Sequence, residues 1–499
     1  MMEEKSVIQA TIDLVKEIAA QRRTELRVIP KTWEYQPFQA LLIPVHSPEE
    51  KYFGVWSPEK NPIFEEPLLE NPRILNGQYF TLYPFDFCNL QKCAYEIPVF
   101  KPTAAGVITS FGTGDRLGLV SAAHLNALKK YDAFPVIAQQ SPRELEKTGR
   151  SFQSVLVDAV WGVFVGGYRG KFGADADHIK DESRLLQAME SGFSFYTLDA
   201  SEVMERSVLS KSEKELVEAF ERLSSPQLAV YKRYLDRTLT LANGFQIDFR
   251  EKNLLPILLA YFPVIDFIEH MNTLLDERIS HYDLEISLDE SDAVTSFEAH
   301  FLVAEELHRR GIDFQSLALK FPGSFEKGID YRGDPKELEW NLRRQAIIVR
   351  NIGGYRLSLH SGSDKFSIYP VFFQETEGLF HVKTSGTSWL KALETVAVSN
   401  PELFRKIYDL SLVEIPENRK AYQISLDVDS LPQELEYYPD KKLVDLLKND
   451  SLRQLLHISY GSVLRDYRQE LCRVLFHHEE DHFKRVQENI ENHLKVLMG

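Results

Sequence analysis

From about residue 104 onward, apolar residues fall into two recurring kinds of segment, short runs of strand length and longer stretches with helical spacing. The short runs are GVITSFG (106–112), FPVIAQQ (134–140), FGADAD (172–177), FSFYTLD (193–199), LEISLD (284–289), LALKF (317–321), RLSLHS (356–361) and LFHVKTS (379–385). Between them lie amphipathic patterns such as SPRELEKTGRSFQSVLVDAVWGVFV, which opens on Ser-Pro, and DPKELEWNLRRQAIIVRNIGG, which stops on Gly-Gly. Eight strand–helix units predict an α/β chain folded as a (β/α)8, TIM-like barrel. A doubly wound sheet alternates in the same way, and spacing does not separate the two.

Three regions depart from this rhythm. Residues 1–103 are rich in Pro and aromatics, with strand-like runs such as ALLIPV and QYFTLYPF, and read as an N-terminal lobe. Residues 104–400 carry the barrel, in which 201–280 reads as a helical insertion without strands between the fourth and fifth runs. Residues 401–499 are mostly helical and form a C-terminal extension.

Barrel enzymes place their chemistry at the C-terminal ends of the strands, and here those ends are polar. Side chains alternate faces along a strand. In LEISLD, Leu284, Ile286 and Leu288 would pack on helices while Glu285, Ser287 and Asp289 face the barrel interior. A glutamate aimed inward must be paired, bound to a metal, or poised for chemistry, and an ion pair with Lys320 on the next strand is the plain alternative. By the same rule Ser358 and His360 face inward, as do Ala318 and Lys320. In KFGADADH, Gly173, Ala174 and Ala176 leave room around Asp175 and Asp177, which share a face. His178 would point outward on a regular strand and joins the site only if the chain turns there. Histidines and two carboxylates spread over the third, fifth and seventh strands make a divalent-metal site with an acid and a base beside it.

Other motifs carry less. GTGDRLGL around Arg116 lacks the spacing of a nucleotide loop, and no dinucleotide fingerprint follows a strand, so no nucleotide cofactor is expected. HHEEDH (477–482) places His478 and His482 four apart, but a charged helical stretch reads as a solvated face. His300 sits in the second turn of a helix whose TSFE start suggests a capping box at Thr295 and Glu298, and a surface histidine is its bland reading. His381 shares an inner face with Lys383 and rivals it as a ligand.

The net charge of −16 argues against nucleic acid or an anionic membrane as partner, since the mean field repels phosphate. An anionic ligand must then be held by local Arg or Lys. Three cysteines, Cys88, Cys93 and Cys472, match neither a disulfide framework nor a four-ligand zinc pattern. The N-terminus shows no secretory pattern, and the most apolar run, LLPILLAYFPVIDFI, is short of a membrane span and holds two prolines. A cytoplasmic protein acting on a small molecule is expected.

The runs SFGTGDRLG, AQQS, TGR, VWGVF, KFGADADH, FEKGIDYRGD, LSLHSGSDKFS, LFHVKTSGTS and YGSVL, in this order over about residues 105–465, resemble the tagaturonate/fructuronate epimerase family of hexuronate catabolism. The resemblance implies a metal-dependent epimerase interconverting D-tagaturonate and D-fructuronate. It implies Asp177 as proton acceptor, Glu285 as proton donor, and His178 and His360, with His300 as third, as ligands of one divalent ion; such ligands suit Zn, Mn, Co, Fe or Ni. Arg116, Lys320, Lys365 and Lys383 are the cations expected to hold the substrate carboxylate against the net charge, with Gln140 at the end of the second strand beside it. Because the inverted carbon lies β to the ketone, α-proton removal would act on the wrong centre. Retro-aldol cleavage and re-addition is the expected route, with the metal as Lewis acid for the enediolate. Its retained fragment calls for a closed pocket, with the N-terminal lobe as candidate lid. The alternatives are a metal-dependent epimerase, isomerase or aldolase of a neutral ketohexose, and a non-catalytic sugar-acid binding protein.

Overall fold

The structure, a computed structural model, describes residues 4–60, 63–290 and 293–499. The first three positions of the charged N-terminal helical pattern lie outside them. All eight short runs contribute a strand to one parallel sheet: β1 (Ser110–Thr113), β2 (Phe134–Val136), β3 (Asp175–Ile179), β4 (Phe195–Asp199), β5 (Asp283–Ser287), β6 (Ser316–Ala318), β7 (Arg356–Leu359) and β8 (Phe380–Thr384). Each pairs with its sequence neighbours, and β8 returns to β1. Parallel bridges from Val136 to Gly173 and from Gln140 to Ala176 join β2 to the β3 segment, which closes the ring. Closure separates a (β/α)8 barrel from a doubly wound sheet.

Strand ends differ from the sequence reading for local reasons. GVIT does not enter β1. Gly106 takes φ +74°, and the backbone N–H groups of Ala105 and Gly106 donate to the Asp283 carboxylate (2.7 and 2.8 Å), leaving Val107 and Ile108 exposed. The insertion is not strand-free either, because Thr238–Thr240 and Gln246–Asp248 form an antiparallel pair across a short turn. The apolar run from Leu254 belongs to a 26-residue helix, Glu251–Asp276, with Pro256 and Pro263 inside it. That helix is long and apolar enough to cross a membrane, but its face is largely buried, with Leu258, Val264, Ile265 and Met271 in the core shared with the barrel.

Before the barrel, strands between Arg27 and Pro84 form a six-stranded antiparallel sheet. Helix Glu4–Arg22 covers one face through Val7, Val15 and Ile18 against Ile43, Trp56 and Phe80. The other face packs on the barrel helix Phe152–Gly166, where Trp33 Nε1 donates to the Phe164 carbonyl (3.0 Å) and Phe85 stacks on Phe164. After β8 the chain continues in helices with a core of their own, including Trp389, Leu393, Tyr408 and Leu456. The last helix, Glu479–Met498, returns to the barrel and packs on Ser121–Leu128.

Candidate active site

The inner faces of β3, β4, β5, β6 and β8 build a polar centre where a barrel of this size ordinarily holds aliphatic side chains. Lys383 stands in the middle, with Nζ 2.7 Å from Asp175, 2.7 Å from Asp177 and 2.8 Å from Glu285. Thr197 donates to Asp175 (2.9 Å) and Ser316 to Glu285 (2.7 Å). All three carboxylates are buried. Burial, with Asp177 and Glu285 adding like charge against the opposing pull of Lys383, pushes Asp175 up to about 7. Burial works the same way on Asp177 and Glu285, but the cations beside them outweigh it and hold both well below the usual carboxylate range. Three carboxylates share one ammonium, so the centre carries an excess of negative charge that suits a bound cation.

A group of side chains that could hold such a cation lies one layer higher, at the mouth. His178 has φ +56°, left-handed for a non-glycine residue, and the β3–β4 register shifts between Tyr196 and Leu198. This irregularity in β3 turns an imidazole that regular alternation would send outward back into the mouth. His178 then lies with its ring centroid 4.9 Å from that of His360, which follows β7. A single ligand atom from each of His178, His360 and Asp289 lies within 4.8 Å of the others. His178 Nδ1 is 2.8 Å from Asp177, and His360 Nε2 is 2.6 Å from Glu285. Each carboxylate thus fixes the tautomer of one histidine and leaves its other nitrogen for a ligand. The remaining nitrogen of His360, Nδ1, is buried without a hydrogen bond although Asp289 Oδ1 lies 2.8 Å away. An imidazole nitrogen and a carboxylate oxygen turned toward a common point can share a divalent ion once the imidazole gives up its proton. Without such an ion, burial lowers both imidazoles, but the neighbouring carboxylates prevail, raising His178 to about 9 through Asp177 and His360 to about 10 through Asp289 and Glu285.

The structure separates the remaining site expectations. His300 does not reach the mouth. It is buried between helices, with Nδ1 2.7 Å from Gln345 and Nε2 2.7 Å from Tyr355, so both nitrogens are already bonded. Its helix is capped by Ser296 rather than Thr295. His381 lies deeper in the barrel, with Nδ1 2.7 Å from Ser110, and burial lowers it to about 3. Asp289, two residues beyond β5, is the third member of the group that could hold an ion, as its alternation with Glu285 and Ser287 could have indicated.

Glu285 pairs with Lys383, not with Lys320. Lys320 lines the cavity. Gln140 points away from the cavity, accepting from Arg150 (2.9 Å), while its backbone closes the ring; Gln139 lines the cavity instead. Lys365 is fully buried and donates to three carbonyls, so it shapes a loop rather than facing a ligand. Arg116 lines the cavity but is held by Glu144 (2.9 Å) and stacked on Tyr460.

The cavity measures about 430 Å³ and reaches the C-terminal extension at Lys420, Tyr422 and Gln423. No residue before Arg116 lines it among the described residues, so the N-terminal lobe is not its lid. The lobe's free sheet face is already engaged on the flank of the barrel. At the far end of the chain, His482 is buried rather than solvated and His478 is exposed; they form no metal-binding group among the described residues.

Fold and site together define a (β/α)8 enzyme with a carboxylate–lysine centre beneath a His/His/Asp cluster at the C-terminal mouth of the barrel. A family model described as tagaturonate epimerase matches residues 36–497. The tagaturonate/fructuronate epimerase of Thermotoga maritima is 44% identical over 422 residues, 83% of this chain and 87% of that protein. A native crystal structure of the fructuronate-tagaturonate epimerase from Cohnella laeviribosi is 32% identical and superposes with a TM-score of 0.88, over 98% of this chain and 99% of that one. A one-glycerol complex of the same protein matches at 31% identity with the same TM-score and coverage. The chain belongs to the tagaturonate epimerase family and is an isomerase-class enzyme.

Proposed function

We propose that this enzyme interconverts D-tagaturonate and D-fructuronate by metal-assisted retro-aldol cleavage and re-addition. The observation that carries the reading is the coupling of each central carboxylate to one histidine of the mouth cluster, Asp177 to His178 and Glu285 to His360. His178, His360 and Asp289 would hold the ion, with His300 replaced by Asp289. When bound, the ion supplies Lewis-acid stabilisation of the negative charge that develops on the ketone half.

This chain's own residues move the protons. Asp177, ionised and facing the cavity, accepts the proton of the hydroxyl on the inverting carbon. The C–C bond between that carbon and its neighbour toward the ketone then breaks, and its electron pair stays with the ketone half as an enediolate. Glu285 has two proton-bearing neighbours within 2.8 Å, His360 Nε2 and Lys383 Nζ, and through them supplies and retrieves a proton at the enediolate side. The aldehyde half turns, the enediolate re-adds to its other face, and Asp177 returns its proton to the new alkoxide. Lys383 keeps the two carboxylates ionised between turnovers and 2.7–2.8 Å from one donor, a fixed geometry that limits reorganisation. Lys320 and Arg116 line the cavity in which the sugar acid would lie.

The test is incubation of purified protein with D-tagaturonate in D2O, with and without EDTA, followed by NMR. Metal-dependent D-fructuronate without deuterium at the inverted carbon is expected. Deuterium at that carbon would overturn the retro-aldol route and leave the epimerase. Absence of product with every divalent metal would overturn the substrate assignment and favour a neutral ketohexose or a binding protein.

A further inference from the structure

The loop after β6 carries a cation that the catalytic centre does not use. Residues Ser324 and Arg332 bridge each other through their backbones (2.7 and 3.2 Å) and enclose Glu326, Lys327 and Gly328. Almost every polar group beside Lys327 is tied down. The Glu326 carbonyl accepts from Lys365 (2.9 Å), and so does that of Ile329 (2.5 Å). The Gly328 carbonyl accepts from Arg453 (2.6 Å). The Glu326 carboxylate is held by the Ser425 backbone (2.6 Å), the Ser425 hydroxyl (2.7 Å) and Gln454 (2.6 Å), all in the C-terminal extension. The exception is the Lys327 ammonium, which lines the active cavity and has neither a hydrogen bond nor an ion pair among the described residues.

Its surroundings make this more than a spare surface lysine. Lys327 is half-buried, and burial followed by the field of Arg143 holds its ammonium below the ordinary lysine range; Glu144 and Asp177 pull the other way. Glu144 is engaged by Arg116, so the cavity wall around Lys327 keeps an excess of positive charge close to the reacting carboxylate Asp177. A partly desolvated cation on a clamped loop, with no partner among the described residues, is favoured by an anion that joins it. In a protein of net charge −16, the residue that gathers an anionic substrate must be a local exception of this kind.

We propose that Lys327, with Arg143 beside it, binds the substrate carboxylate and is the pivot on which the aldehyde half is retained while it turns. The inference rests on the epimerase reading above and deepens it. Breaking the bond toward the ketone leaves two three-carbon pieces. The ketone half is the enediolate of dihydroxyacetone, and the aldehyde half is a hydroxy-aldehyde acid that carries the carboxylate. Fixing that carboxylate leaves rotation about the bond next to the aldehyde carbon as the free motion, and that rotation presents the other carbonyl face. The same contact sets specificity, since a neutral ketohexose offers Lys327 a hydroxyl where the uronate offers an anion.

The experiment compares wild type, Lys327→Met and Lys327→Arg, each loaded with metal. Three readouts are taken: kcat/KM for D-tagaturonate and for D-tagatose, release of dihydroxyacetone during tagaturonate turnover, and the Kd of D-glycerate as a carboxylate-bearing mimic of the aldehyde half. In Lys327→Met, tagaturonate kcat/KM falls roughly 10- to 100-fold, the scale of one charge-assisted hydrogen bond. D-tagatose turnover, where present, is unchanged, dihydroxyacetone release rises, D-glycerate binds at least about tenfold more weakly, and Lys327→Arg recovers part of each. Unchanged tagaturonate kinetics and D-glycerate affinity, or an equal loss on both sugars, would overturn the inference. If wild type turns over no tagaturonate while its D-glycerate affinity still depends on Lys327, the anion site stands and the substrate reading falls.

Discussion

Replacing Lys383 by Met removes the ammonium that three buried carboxylates share, and the cost follows from the distances. At 2.7–2.8 Å and an effective dielectric near 20, each contact with Asp175, Asp177 and Glu285 is worth about 6 kcal/mol before desolvation. Desolvation of the ammonium offsets most of that sum, and removal of one member of a buried ionic set costs about 3–5 kcal/mol net. The variant has a second way to respond, because its carboxyls can take up protons. Their folded-state pKa values then lie above those of the unfolded chain, so the folded form binds more protons over that interval and loses stability as pH rises through it. The expected result in urea unfolding with EDTA present is a loss of about 3–5 kcal/mol at pH 8 that shrinks by at least about 1 kcal/mol at pH 5. EDTA matters, since a divalent ion in the mouth could replace the lost charge. A loss below about 1 kcal/mol that is the same at both pH values would refute the shared-ammonium account of this centre.

Three further outcomes follow from the same geometry. Asp289→Asn should weaken metal binding about 10- to 100-fold in a chelator competition, whereas His300→Gln should leave metal stoichiometry at the wild-type value; the reverse pattern would restore His300 as the ligand. Asp177→Asn should abolish turnover yet retain metal, measured by elemental analysis of the purified protein beside its activity, and retained turnover would exclude Asp177 as the proton acceptor. Burial keeps His124, His300 and His482 neutral by lowering each to about 4, so the unfolded chain binds protons that the folded chain refuses. Their contribution to stability should be complete above pH 6.5 and be lost between 6.5 and 4 at up to about 1.4 kcal/mol per pH unit for each histidine; a flat urea midpoint over that window would contradict their neutrality.

How much of the site is legible in the chain depends on what holds each residue. Glu285, Asp175, Asp177 and Lys383 follow from strand alternation, because period two is a local property of extended backbone. Asp289 obeys the same rule two residues past its strand. Lys365 and Gln140 were misread because a polar residue at a strand end looks the same whether it faces the cavity or a carbonyl. His300 was misread because a helix pattern shows which face is buried and not what waits there. Lys327 left no mark in the strand and helix periodicity, since its place depends on Arg453, Ser425 and Gln454, which lie about 100 residues or more further along the chain.

The order of strands and helices and the inward direction of most of the polar centre were determined by the sequence alone, because local periodicity and short-range connection rules govern them. Tertiary structure decided three other matters. The left-handed φ at His178, held by the irregular pairing of β3 with β4, brings the second imidazole to the mouth. Packing of the N-terminal sheet on the barrel flank leaves the mouth to the C-terminal extension. Contacts between segments far apart in sequence determine which cations of the cavity wall are consumed by the protein. Pairing between distant segments leaves no periodic mark on either, so none of these could be read from the order of residues.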